Sequence, residues 1–103
     1  MPYQRIRMAL GHDIRGERTV SADAISAFLR TVSGSFPGFS VSTGLGYWAG
    51  SAEDCTVIEI LSDAELALPM VRALARSFAA LHDQDCVLVT AEPVPIVEFV
   101  GAV

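Results

Sequence analysis

Two histidines, His12 and His82, both stand in polar segments beside carboxylates, in Gly11-His12-Asp13 and His82-Asp83-Gln84-Asp85. An imidazole changes charge near neutral pH, so it can pass a proton or ligate a metal. Arg5 and Arg7 are spaced i, i+2, which puts both guanidinium groups on one face of a strand. Two forks on one face bind an anionic group or pair with carboxylates, and Glu59 is the carboxylate placed to meet them. Trp48 is the only tryptophan and sits in the run Gly44-Leu45-Gly46-Tyr47-Trp48-Ala49-Gly50. A large ring at a hairpin tip serves as a partner anchor or a ligand platform.

Other chemistry is excluded by residue type. All seven basic residues are Arg, and the chain has neither Lys nor Asn. A Schiff base on Lys and a Walker A phosphate loop are therefore ruled out. The glycine-rich run ends a strand rather than opening a helix, so it is no dinucleotide fingerprint. Cys55 and Cys86 are too few for a disulfide framework or a cysteine zinc site. They read as two buried, reduced thiols. Nothing in the residues calls for a cofactor. A net charge of -5 disfavours nucleic acid as a partner. No apolar run approaches a membrane span or a signal-peptide core, so the reading is a cytoplasmic protein with no membrane partner.

The elements that must position these residues follow from periodicity. Tyr3–Leu10 alternates, with Ile6, Met8 and Leu10 on one side and Arg5 and Arg7 on the other. Gly11–Arg18 is a polar loop. Thr19 or Ser21 caps a helix whose apolar stripe is Ile25, Phe28, Leu29 and Val32, and Gly34 stops it. Phe39–Trp48 alternates again, Gly50–Asp54 reads as a hairpin turn, and Cys55–Leu61 is a β-branched strand. Val71, Leu74, Phe78 and Leu81 mark a second helix starting close to Pro69. Cys86–Glu92 is the fourth main strand. Pro93 and Pro95 precede an apolar tail, Ile96–Val103, which is expected to add a fifth strand at the sheet edge or to another subunit.

The order β-α-β-β-α-β predicts an α+β fold, the ferredoxin-like sandwich. It has a four-stranded antiparallel sheet in the order 4-1-3-2 with both helices on one face. Residues 1–92 form the domain and 93–103 the extension. This topology gathers loop Gly11–Arg18, hairpin Tyr47–Asp54 and connection His82–Asp85 at one end. Both histidines go there, with Asp13, Arg15, Trp48, Glu53, Asp54 and Asp83. The uncovered face carries Arg5, Arg7 and Glu59 beside the small residues Ser40, Ser42, Gly44 and Gly46, a surface that another sheet or a flat ligand can approach closely.

Tyr47-Trp48-Ala49-Gly50, followed by acidic residues and then Thr56-Val57-Ile58-Glu59-Ile60, resembles the divalent-cation-tolerance (CutA) proteins, which share their fold with the nitrogen-regulatory PII proteins. Leu61-Ser62-Asp63 stands where that family carries a basic strand. The resemblance implies the fold and a tendency to trimerise, and no metal ligands are carried over from it.

Half the chain is hydrophobic (51%) and only 18% is charged, a surplus too large for a domain of 103 residues to bury alone. The expected state is therefore a homo-oligomer, dimer or trimer, with the tail, Trp48 and the small-residue face as contacts. The leading functional expectation is a non-catalytic ligand- or protein-binding module using Arg5, Arg7, His12, Trp48, Glu59 and His82, with a small anionic ligand as a further partner. The alternative is a small-molecule enzyme of the dimeric α+β barrel type, with His12 or His82 as acid–base residue and Arg5 or Arg7 holding an anion. A third reading, a metal-responsive protein, would use His12, His82 and loop carboxylates.

Overall fold

A computed structural model of the chain describes residues 2–14 and 18–102, with the backbone but not the side chain of Trp48. Its elements are β1 (Tyr3–Gly11), β2 (Asp13–Ile14), β3 (Arg18–Thr19), α1 (Ala22–Ser35), β4 (Ser40–Trp48), β5 (Ser51–Ser62), α2 (Ala67–Leu81) and β6 (Leu88–Val94). The four long strands make one antiparallel sheet in the order β4-β5-β1-β6. The expected α+β class, with a four-stranded antiparallel sheet and two helices, is what the chain adopts.

Strand period sets the two faces. Ile6, Met8 and Leu10 of β1, and Thr56, Ile58 and Ile60 of β5, are all buried, while the residues between them are not. That side is covered by the helices, through Phe28 and Val32 of α1 and Val71, Ala75 and Phe78 of α2. The rings of Phe28 and Phe78 meet edge to face at 5.0 Å, which ties the two helices together. No helix among the described residues is long and apolar enough to cross a membrane.

The helix ends follow local chemistry. Ser21 Oγ accepts from Ala24 N–H at 3.1 Å, so of the two candidate caps it is Ser21 that acts. α1 runs one residue past Gly34 and closes where Phe36 N–H donates to the Val32 carbonyl, just before Pro37. Pro69 lies in the first turn of α2, where its missing N–H costs nothing because those amides have no helical partner.

Four expectations are corrected. The hairpin does not turn over Gly50–Asp54. Its strands pair up to Trp48↔Ser51 around a two-residue turn, Ala49 and Gly50, both at positive φ (50° and 82°). This is the left-handed conformation that a tight hairpin needs. Loop 11–18 contains the small β2–β3 pairing, while Arg15 lies outside the described residues. β6 starts at Leu88 and continues through Pro93, which is tolerated because β6 is an edge strand. Residues 95–102 form no strand; instead Phe99 packs on Tyr3, with ring centroids 6.4 Å apart.

β5 pairs with β1 only as far as Gly11↔Cys55, whereas its pairing with β4 continues for four more pairs, Leu45↔Asp54 to Trp48↔Ser51. The end of the hairpin therefore extends beyond β1. Leu45 and Tyr47 are correspondingly 60% and 73% exposed.

Replacing Ile58, fully buried in the centre of the core, by Ala should cost about 2–5 kcal/mol. A Cβ at Gly34 meets nothing within 4 Å, so Gly34→Ala should stabilise by up to about 1 kcal/mol. Urea unfolding midpoints test both signs.

Candidate active site

Segment 11–14 leaves the end of β1 and is held from three directions. His12 N–H donates to the Asp54 carbonyl at 3.0 Å, and the His12 carbonyl accepts from Val20 N–H at 2.7 Å. Asp13 N–H donates to Glu53 Oε2 at 3.0 Å. Gln84 Nε2 donates to the Asp13 carbonyl at 2.9 Å. The three loops expected to converge at one end do so through these bonds, with a long Arg18–Asp83 contact of 3.9 Å beside them.

Gln84 reaches Asp13 because of how α2 ends. His82 N–H donates to the Phe78 carbonyl, Asp83 takes positive φ (54°), and Gln84 N–H returns to the Ala79 carbonyl at 2.9 Å. That left-handed closure turns the chain back toward loop 11–14. On the other side Glu53 folds over Gly11, so closely that a Cβ there would lie 2.7 Å from Glu53 Oε1.

The result is a fixed imidazole at the rim of a cavity. His12 Nε2 lies 2.8 Å from Thr56 Oγ1, and Thr56 is the one buried polar residue of the described core. An open cavity of about 450 Å³ is lined by His12, Thr43, Gly44, Leu45, Asp54 and Cys55. It combines an apolar wall (Leu45), a glycine that lets a flat group approach the backbone, a carboxylate, a thiol and an imidazole. Cys55, half-buried and free, is not the fully buried thiol expected, and Cys86 is exposed, because the start of the β5 hairpin and the connection before β6 lie outside the core.

The other expected residues separate from His12. The His82 ring packs on Phe78 at 4.7 Å between centroids, as part of the α2 terminus. Arg7 Nε donates to Glu59 Oε1 at 2.7 Å, and Arg5 Nη1 to Glu92 Oε1 at 3.0 Å, with Arg5 Nε 3.7 Å from Glu59 Oε2. Arg5, Arg7 and Glu59 thus form the cross-strand ion pairs that strand adjacency requires, partly exposed and worth at most about 1 kcal/mol each. Arg7 and Glu59 line a second depression of about 370 Å³ with Ser40, Ser42 and Val57. Arg7 and His12 are five residues apart, about 17 Å along a strand, and their odd separation sends them to opposite faces. The expected pairing of a histidine with Arg5 or Arg7 at one site therefore does not occur. The Trp48 side chain lies outside the described residues. Among those residues no three of His, Cys, Asp and Glu converge on a metal-sized site, which leaves the metal-responsive reading without a ligand set there.

Asp54 is among the carboxylates that the sequence places at this end, whereas Thr56 and Gln84 are not among the candidate residues it offers. Thr56 had a signal, a lone hydroxyl in the inward stripe Thr56, Ile58, Ile60. The bond from Gln84 spans 71 residues and had none.

No protein-family model matches the sequence, and no curated protein matches it. Solved structures do match. A phage SAM lyase in complex with S-methyl-5'-thioadenosine aligns over 95% of this chain and 86% of its own, with a TM-score of 0.75 at 17% identity. A phage SAM lyase in the apo state aligns over 93% and 84%, with a TM-score of 0.70 at 20% identity. The chain shares the fold of these enzymes. The expectation of a non-catalytic binding module is corrected accordingly, since the structures that share this fold are those of enzymes.

Gly11→Ala should push the Glu53 carboxylate off Asp13 N–H, costing about 1 kcal/mol and raising the exchange rate of the Asp13 amide. Hydrogen exchange followed by NMR checks this, and an unchanged Asp13 amide would contradict it.

Proposed function

We propose that the chain is a small enzyme that cleaves S-adenosylmethionine without water, releasing S-methyl-5'-thioadenosine. The observation that carries this reading is the imidazole-lined cavity at His12, in a chain whose fold aligns over 95% of its length with a SAM lyase holding that product. The chemistry suits a site with few reactive groups. A sulfonium sulfur leaves as a neutral thioether when the bond to the four-carbon amino-acid arm breaks and its electron pair goes to sulfur. The arm is completed either by attack of its own carboxylate oxygen on the carbon losing sulfur, which gives a lactone, or by loss of a neighbouring proton to a base, which gives an alkene. Neither route needs a second substrate, and the main task of the protein is to hold one reactive conformer. In this reading Leu45 and Gly44 face the purine, Asp54 accepts from the ribose hydroxyls, and His12 supplies a ring nitrogen.

The strand order β4-β5-β1-β6, with both helices on one face, supports naming the fold ferredoxin-like. Exposed Leu45, Tyr47, Leu88, Ile96, Phe99 and Val100 support a homo-oligomer, since a monomer rarely leaves so many large apolar side chains uncovered. Two free thiols support a cytoplasmic setting.

Incubation with S-adenosylmethionine should yield S-methyl-5'-thioadenosine by liquid chromatography with mass detection. His12→Ala should lower kcat/KM at least about tenfold, and Arg72→Ala, on the exposed side of α2, should not change it. No product from the wild-type chain would overturn the reading. Light scattering should give a mass that is a multiple of 11.0 kDa, and a monomer at micromolar concentration would contradict the oligomer.

A further inference from the structure

We infer that Thr56 is a positioning residue that sets the tautomer of His12, so that His12 acts through Nδ1 as a hydrogen-bond donor to the molecule in its cavity. The inference rests on the proposed site for its ligand, but not for its test.

Thr56 is 2% exposed and lies on the inward face of β5, between β1 and β4. Among the described residues its hydroxyl makes one hydrogen bond, to His12 Nε2 at 2.8 Å. A hydroxyl is a donor with one proton, and a neutral imidazole has one N–H and one bare nitrogen. If Nε2 carried the proton, it would donate to Oγ1 and the hydroxyl proton would be buried with no acceptor. A buried donor left unpaired is costly. If Nε2 is bare, the hydroxyl donates to it and both groups are satisfied. The second arrangement places the imidazole proton on Nδ1.

Nδ1 is also the nitrogen with access. No buried side-chain nitrogen or oxygen among the described residues lacks a partner. Nδ1 makes no hydrogen bond to a described residue, so it is not fully buried, and His12 is one of the residues that line the cavity. The backbone at His12 and Asp13 is held by Asp54, Val20, Glu53 and Gln84, and the ring itself is tied to Thr56. An N–H presented this way pairs with an acceptor, such as a ring nitrogen or ribose oxygen of a nucleoside. In this role His12 is a donor to the substrate rather than the base that removes a proton from it.

Two histidines make the imidazole nitrogens easy to assign by long-range ¹H–¹⁵N correlation. With no substrate present and the rings neutral, His12 should show a protonated Nδ1 and a bare Nε2. Thr56→Ser keeps the hydroxyl and should keep that pattern. Thr56→Val removes the hydroxyl at similar volume and should move both nitrogens toward the averaged values of a free imidazole. With S-adenosylmethionine, Thr56→Val should lower kcat/KM roughly tenfold, and Thr56→Ser should stay within about twofold of wild type. A wild-type spectrum with the proton on Nε2 would overturn the inference, as would an unchanged tautomer in Thr56→Val. If the wild-type chain cleaves no S-adenosylmethionine, the functional reading fails while the spectra still decide the tautomer.

Discussion

The pairing of β1 with β5 is the constraint on which the rest of the structure depends. β1 is hydrogen-bonded on both sides, and one register with β5 sets Ile6 against Ile60, Met8 against Ile58 and Leu10 against Thr56. A slip by one residue would turn all of these to the other face. The same register sets Arg7 against Glu59 and Gly11 against Cys55, so it fixes where charge sits on the open face and where β1 ends relative to the hairpin. His12 then stands one residue past the last paired position, on the inward side, with the Thr56 hydroxyl in reach.

The site is built from weak local bonds between distant segments. Glu53, Asp54, Val20 and Gln84 each contribute one bond to residues 12 and 13. Each is worth about 1 kcal/mol, but together they hold a backbone that solvent would otherwise loosen. Gly11 permits the close approach of Glu53, and positive φ at Asp83 aims Gln84. These bonds place the segment that carries the imidazole at the rim of the cavity.

Much of this organisation was legible in the residues. Alternation through Ile6, Met8 and Leu10 marks the buried face, the stripe Phe28–Val32 marks a helix, and strand adjacency brings Arg5 and Arg7 to Glu59. The convergence of loops 11–14, 53–54 and 83–84 follows from topology. What was not legible depends on register or distance. Ala49 carries no residue-type signal for positive φ, so pattern alone places the turn too late and hides the exposed hairpin end. Without the register, Thr56 could not be matched to His12, and the two histidines looked alike although one packs on Phe78. The apolar tail reads as a strand by pattern, yet residues 95–102 pair with neither edge strand of the sheet, β4 or β6.

In the proposed function the nucleoside binds in the cavity at His12 rather than on the open face. Titration of S-methyl-5'-thioadenosine into the ¹⁵N-labelled chain tests it most directly. Amide shifts are expected at His12, Gly44, Leu45, Asp54 and Cys55. Shifts centred on Arg7, Ser42 and Glu59, or no shifts at saturating ligand, would contradict it.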